Sequence, residues 1–225
     1  STDAVIRAKG GLLGGLLGGV VGTVVGTVVT VVEVVVSVAG LVLGTGGTLL
    51  DPAECYGPAV PPRVLRETLG LSGSLSGKGV GVAVIDSGLE MTDDFYGRVA
   101  AFYDFTGGKT AQATPSDAYG HGTHVAGTIG GSGVRSTYRE YRGLAPNVKF
   151  VILKALDGKG AGYTTDVIRA IDFAVANRAK WGIHIINLSL GHPVFEPAEP
   201  DPLVQAVERA ARAGVIVITA AGNLG

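Results

Sequence analysis

Val80-Gly81-Val82-Ala83-Val84-Ile85-Asp86-Ser87-Gly88 is an apolar run that ends on an acid and then turns. A short Val- and Ile-rich stretch bounded by glycine reads as a strand buried on both faces. Val148 to Leu153, Ile183 to Leu188 and Val215 to Thr219 repeat the pattern, each bounded by Gly, Pro, Asn or Asp. Between them lie helical periods. Over Thr165 to Lys180 the apolar positions Val167, Ile168, Ile171, Ala174 and Val175 make a core-facing stripe. Asp201 before Pro202 reads as an N-cap with proline at the first helical position. Leu203, Val204, Val207 and Ala211 form the stripe that follows, and Gly214 ends it. Strands alternating with helices imply parallel crossovers. The expected fold is therefore a doubly wound, mostly parallel α/β sheet, with its ligand crevice at the carboxyl ends of the strands.

Composition narrows the partners. The chain has 225 residues, enough for one or two domains, with 18 Lys+Arg against 19 Asp+Glu. A net charge of -1 gives no electrostatic reason to expect nucleic acid or an anionic membrane surface, and leaves a polypeptide partner or substrate open. The lone Cys55 has no internal disulfide partner, so packing has to supply stability.

The skew in composition sits at one end. Residues 1–50 form a Gly/Val-rich hydrophobic region, 51–78 a linker rich in breakers (Pro52, Pro58, Pro61, Pro62, then Ser72-Gly73-Ser74), and 79–225 the α/β portion. A short helix is expected over residues 62–71, with Val64, Leu65 and Leu69 on its apolar side. From Gly10 to Val32 there are 23 residues without a charge, followed by Glu33 and a second uncharged run to Leu50. A four-residue repeat runs through it, Leu16-Leu17-Gly18-Gly19 and Val20-Val21-Gly22-Thr23 among its units. In a helix, Gly18, Gly22 and Gly26 would make a small-residue stripe, and the length suffices to cross a bilayer. Gly, Val and Thr are poor helix formers in water, which favours the other reading, a degenerate pro-segment or loosely ordered repeat. A signal segment fits least, since no short apolar core ending in an Ala-x-Ala site is present.

Chemistry collects at three places. Asp86 ends its strand before Ser87-Gly88, which leaves a carboxylate at the crevice; the same pattern also describes a turn residue bonding its own backbone. Thirty-five residues on, His121-Gly122-Thr123-His124-Val125-Ala126-Gly127-Thr128 puts an imidazole at the start of a small-residue helix. Ala220-Ala221-Gly222-Asn223 follows the last strand. His121 and His124, with Asp86 or His184, offer a rival metal-ligand reading, but the His-Glu-x-x-His pattern of a metallopeptidase is missing.

Together the three stretches resemble the Asp block, the His block and the oxyanion Asn of the subtilisin-like serine peptidases, in that family's order of Asp, His, Ser. The resemblance covers residues 79–225 and implies a role for each group. Asp86 would orient the imidazole, His121 would be the general base, His124 a core-packed neighbour, and Asn223 the oxyanion donor. Gly160-Ala161-Gly162 and Ser189-Leu190-Gly191 match the two segments that hold an extended peptide by strand addition. Asp3 to Lys9 resembles, over a handful of residues, the opening strand of the family's pro-peptide.

No Gly-Thr-Ser-x-Ala segment occurs, so the nucleophilic Ser is expected in a C-terminal part of the same domain that these residues lack, and Ser1 in place of Met fits a fragment. The chain alone is expected to be inert. The implied activity is a secreted serine endopeptidase acting on polypeptides, with no metal in the site and no cofactor evident; structural calcium is left open. The alternative is a non-catalytic peptide-binding or membrane-tethered truncated domain.

Overall fold

The computed structural model describes residues 5–7, 69, 75–193 and 197–220. The repeat at 10–50, the linker helix at 62–71 taken as a whole, and Asn223 lie outside the described residues.

The strands are β1 (Val5–Arg7), β2 (Gly81–Asp86), β3 (Val99–Asp104), β4 (Ala111–Gln112), β5 (Lys149–Lys154), β6 (Ala161–Tyr163), β7 (Ile183–Leu188) and β8 (Ile216–Thr219). The helices are α1 (His121–Gly130), α2 (Thr164–Ala176), α3 (Arg178–Trp181) and α4 (Pro202–Arg212). Six strands form one sheet in the order β4-β3-β5-β2-β7-β8, parallel except for the β3–β4 pair. The doubly wound, mostly parallel α/β sheet expected from the sequence is the one observed.

The centre of the sheet explains the run that opens at Val80. All six residues of β2 are buried because β5 and β7 flank it and helices cover both faces. Side chains alternate across a strand, so Ala83 and Ile85 join the core under α2 and α4, while Val82 and Val84 join the one under α1. The second core holds Phe95 edge-on to Phe150 at 6.0 Å between ring centroids. Two faces of packing hold Asp86 in place at the carboxyl end of the central strand.

Three local differences have clear causes. The helix expected over 165–180 divides, because the Asn177 side chain donates to the Phe173 carbonyl (2.9 Å) and leaves the helical path before α3. Strand β3 emerges from Val-Ala-Ala-Phe-Tyr-Asp, a segment only partly covered on its faces and hence without a β-branched run. Strand β4 is two exposed residues long. The cap on α4 is as expected, with Asp201 Oδ1 accepting from Leu203 N (2.7 Å) and Val204 N (3.1 Å) and Pro202 at the first position.

Candidate active site

At the carboxyl end of β2 the chain passes from Asp86 into a turn whose Gly88 has φ of 125°, a conformation that side chains rarely adopt. Asp86 does both things its sequence context allows. Its Oδ1 accepts from the Ser87 backbone N–H (2.7 Å), and the carboxylate also faces His121, with Oδ1 at 2.8 Å and Oδ2 at 2.9 Å from Nδ1. Lys154, its register partner on β5, donates to the Ser87 carbonyl and pins the turn. Asp86 is fully buried while the His121 side chain keeps 17% of its surface, so the carboxylate is shielded and the imidazole reaches solvent.

The helix reaches the strand because α1 starts on small residues. A methyl group on Gly122 would stand 2.3 Å from the Gly88 carbonyl oxygen and 3.2 Å from Asp86 Cβ. Gly120, with φ of 88°, turns the chain into the helix and places His121 at its first position. Gly122, Val125, Ala126 and Ile129 form the buried stripe of α1. His124 lies off that stripe, three residues from His121, and is exposed rather than core-packed as expected. Partial loss of water around its ring lowers its pKa, and the His121 charge lowers it further.

The His121 pKa is raised, first by the hydrogen bond to Asp86, with burial opposing and the charges of Asp86 and Asp117 assisting. A pKa raised by folding stabilises the native state in full below the unfolded imidazole value of about 6.5. That stabilisation is lost as pH rises through the folded value. Thermal unfolding of wild type and His121→Gln should therefore show a stability gap that is widest in mild acid and narrows on going to alkaline pH. A gap that widened with pH would contradict the assignment.

Of the two segments expected to hold peptide, Gly160–Gly162 packs against Tyr119, whose ring centroid lies 6.3 Å from that of His121. Gly160 N–H donates to the Asp157 carbonyl (3.1 Å), and Ala161 N–H donates to Asp157 Oδ1 (3.0 Å), closing a tight turn before β6. A Cβ on Gly162 would stand 2.3 Å from the Ala155 carbonyl, and one on Gly160 would strike the Tyr119 ring at 2.5 Å. At 162 glycine lets two backbones approach, and at 160 its φ of 69° is one that side chains rarely adopt. Strand β6 accepts β1 as an antiparallel neighbour, with Val5 opposite Tyr163, Ile6 opposite Gly162 and Arg7 opposite Ala161. Beyond β7, Ser189 and Leu190 are buried, Ser189 Oγ accepting from Asn187 Nδ2 (2.9 Å), and Gly191 is exposed.

The metal alternative loses its geometry. His184 Nδ1 accepts from Gly81 N–H (3.2 Å) at the start of β2, whereas Asp86 and His121 meet at its other end. Among the described residues no group of three or more His, Cys, Asp or Glu side chains could hold a metal ion. Among them, too, no serine hydroxyl is hydrogen-bonded to the His121 ring. Asp117 bonds the start of α1, and nothing in the local sequence marks it, since an Asp four residues before a helix carries no periodic signal of its own.

A buried carboxylate and an imidazole thus meet at the carboxyl end of a strand with parallel neighbours on both sides. Residues 77–225 match the family described as the subtilase family of peptidases, S8, and the chain belongs to it. It is 39% identical over 157 residues to serine protease AprX of Bacillus subtilis (strain 168), covering 68% of this chain and 35% of that protein. It is 38% identical over 167 residues to the extracellular serine proteinase of Thermus sp. (strain Rt41A), covering 72% of this chain and 36% of that protein. Among solved structures, sphericase matches with a TM-score of 0.59 and 34% identity over 67% of this chain and 48% of its own. The chain thus spans about a third of these two curated relatives and about half of that structure.

Proposed function

We propose that these residues form the acid–base half and one substrate edge of a secreted serine endopeptidase, completed by a nucleophilic Ser carried on further sequence of the same domain. The observation that carries the reading is the contact of His121 Nδ1 with both oxygens of the buried Asp86 carboxylate. An ionised carboxylate only accepts, so Nδ1 bears the proton and Nε2 keeps its lone pair toward the crevice. That nitrogen takes the Ser hydroxyl proton as the oxygen attacks the peptide carbonyl carbon. Asp86 stabilises the imidazolium so formed, and His121 then passes the proton to the departing amine nitrogen. Water repeats the sequence on the acyl-enzyme and regenerates the hydroxyl. Asn223 is assigned as the donor to the oxyanion.

The substrate is read as an extended polypeptide. Strand β6 already takes a neighbouring strand in this structure, and such pairing grips the main chain whatever the side chains. Secretion is supported by relatives whose names call them extracellular. Among the described residues no helix is long and apolar enough to cross a membrane, and residues 10–50 lie outside them.

The donors and acceptors of β6 that serve β1 are not free for a second strand on the same side. Removing residues 1–10 should therefore tighten binding of an extended, uncleavable peptide by about tenfold. That ratio corresponds to about 1.4 kcal/mol, the scale of one or two net backbone hydrogen bonds. Fluorescence anisotropy with a labelled peptide reads it directly. Equal affinity with and without residues 1–10 would show that peptide binds elsewhere than at β6.

A further inference from the structure

The Asp117 carboxylate collects four donors. Oδ1 accepts from Ser87 Oγ and from Gly120 N–H, both at 2.8 Å. Oδ2 accepts from Thr123 N–H at 2.8 Å and Thr123 Oγ1 at 2.7 Å. The network goes one bond further on each side. Ser87 Oγ accepts from Gly122 N–H (3.0 Å), and Thr123 Oγ1 accepts from Glu90 N–H (2.8 Å). Two of these partners, Gly122 and Thr123, lie in the first turn of α1 directly after His121, and Ser87 directly follows Asp86. Gly120 itself supplies no side chain to cap the helix, so its first N–H groups depend on Ser87 and Asp117 from outside.

We propose that Asp117 is a positioning residue for the acid–base pair. It ties the start of α1 to the turn after β2 through Ser87 and Thr123, which keeps His121 Nδ1 on the Asp86 carboxylate, and it stands as a second negative charge near the imidazole. The proposal rests on the reading of Asp86 and His121 as that pair. Burial alone would raise the Asp117 pKa, but its hydrogen bonds outweigh burial and hold it below the ordinary value. Asp117 is therefore an anion in the working range of the imidazole, and its charge is among those that favour the protonated form of His121. A negative charge at the first turn of a helix is also favourable to the helix itself.

A purely structural cap would affect unfolding and leave the imidazole alone, so the test reads the ring. In the 225-residue chain, NMR would follow the titration of each histidine and the solvent exchange of the His121 Nδ1 proton, in wild type, Asp86→Asn, Asp117→Asn and Ser87→Ala. Asp117→Asn should lower the His121 midpoint and speed exchange of that proton by at least about tenfold, the ratio that 1.4 kcal/mol of weakened restraint produces. Ser87→Ala keeps the charge and removes the link, so it should speed exchange with little change in midpoint. It decides the matter if Asp117→Asn does not fold. Wild-type midpoint and exchange in folded Asp117→Asn, or wild-type exchange in Ser87→Ala, would overturn the proposal. A wild-type His121 midpoint that is not raised and does not respond to Asp86→Asn would instead overturn the acid–base pair, a separate and recognisable failure.

Discussion

His121→Ala, made in a protein that carries this domain through its nucleophile, should lower kcat by roughly 10⁴ to 10⁶ with KM nearly unchanged. The magnitude is that known for loss of a triad member in subtilisin itself, so it is carried over from the family. The selectivity comes from the geometry here. His121 has one ring nitrogen committed to Asp86, whereas the proposed grip on peptide is the backbone of β6, which the substitution does not touch. Loss in kcat without loss in KM is the signature of a group that acts only in the transition state. His124→Ala is the control. It removes an exposed side chain off the buried stripe of α1 and should leave both turnover and stability within a small factor of wild type. Equal losses of turnover in the two variants, at equal folded fraction, would show that the base has been misassigned.

Gly122→Ala should be strongly damaging for a single methyl group, because it acts between the helix and the strand that carry the pair. In a free helix the change is favourable by about 0.5–1 kcal/mol. Here the added carbon would stand 2.3 Å from the backbone carbonyl of Gly88, and that oxygen belongs to a turn that Lys154 and the pairing of β2 with β5 hold in place. Overpacking of this kind typically costs about 1–3 kcal/mol, so the clash outweighs the helical gain. Relief requires α1 to move away from β2, and that movement separates His121 from Asp86. The expected result is a lower unfolding temperature, by a few degrees for each kcal/mol in a domain of this size, with a His121 titration midpoint that falls toward the ordinary imidazole value. An active relative of this chain bearing the same change should also lose about 100-fold in turnover, the usual penalty of a misplacement near 1 Å. An unchanged midpoint in a stable variant would mean that close approach of helix and strand is not what sets the pair.

How much of this was legible beforehand differs from element to element. The sheet's inner strands declare themselves, because burial on both faces selects continuous Val and Ile, as in Val82 to Ile85 and Ile183 to Leu188. The α4 cap is equally plain, since Asp201-Pro202 serves the helix from within three residues. Strand β3 was hidden by its partly covered faces, and the pairing of β1 with β6 joins segments more than 150 residues apart that no local period connects. At the site, Asp86 and His121 were readable through their motif. His124 was misplaced because the motif says nothing of helix phase, whereas the buried positions 122, 125, 126 and 129 set it. Asp117 is silent in the sequence for a related reason: its link to Ser87, thirty residues away, forms only once α1 docks on the turn after β2.

On the proposed reading, His121, held by Asp86, is the base that activates a serine. The most direct measurement is covalent labelling by a fluorophosphonate probe, followed by mass spectrometry of the labelled peptide. In a protein that continues this domain through its nucleophile, one Ser outside residues 1–225 should be labelled stoichiometrically, and His121→Ala should lose that labelling while staying folded. The 225-residue chain alone should take up no probe. Stoichiometric labelling of a Ser within residues 1–225, or labelling that survives His121→Ala undiminished, would contradict the account.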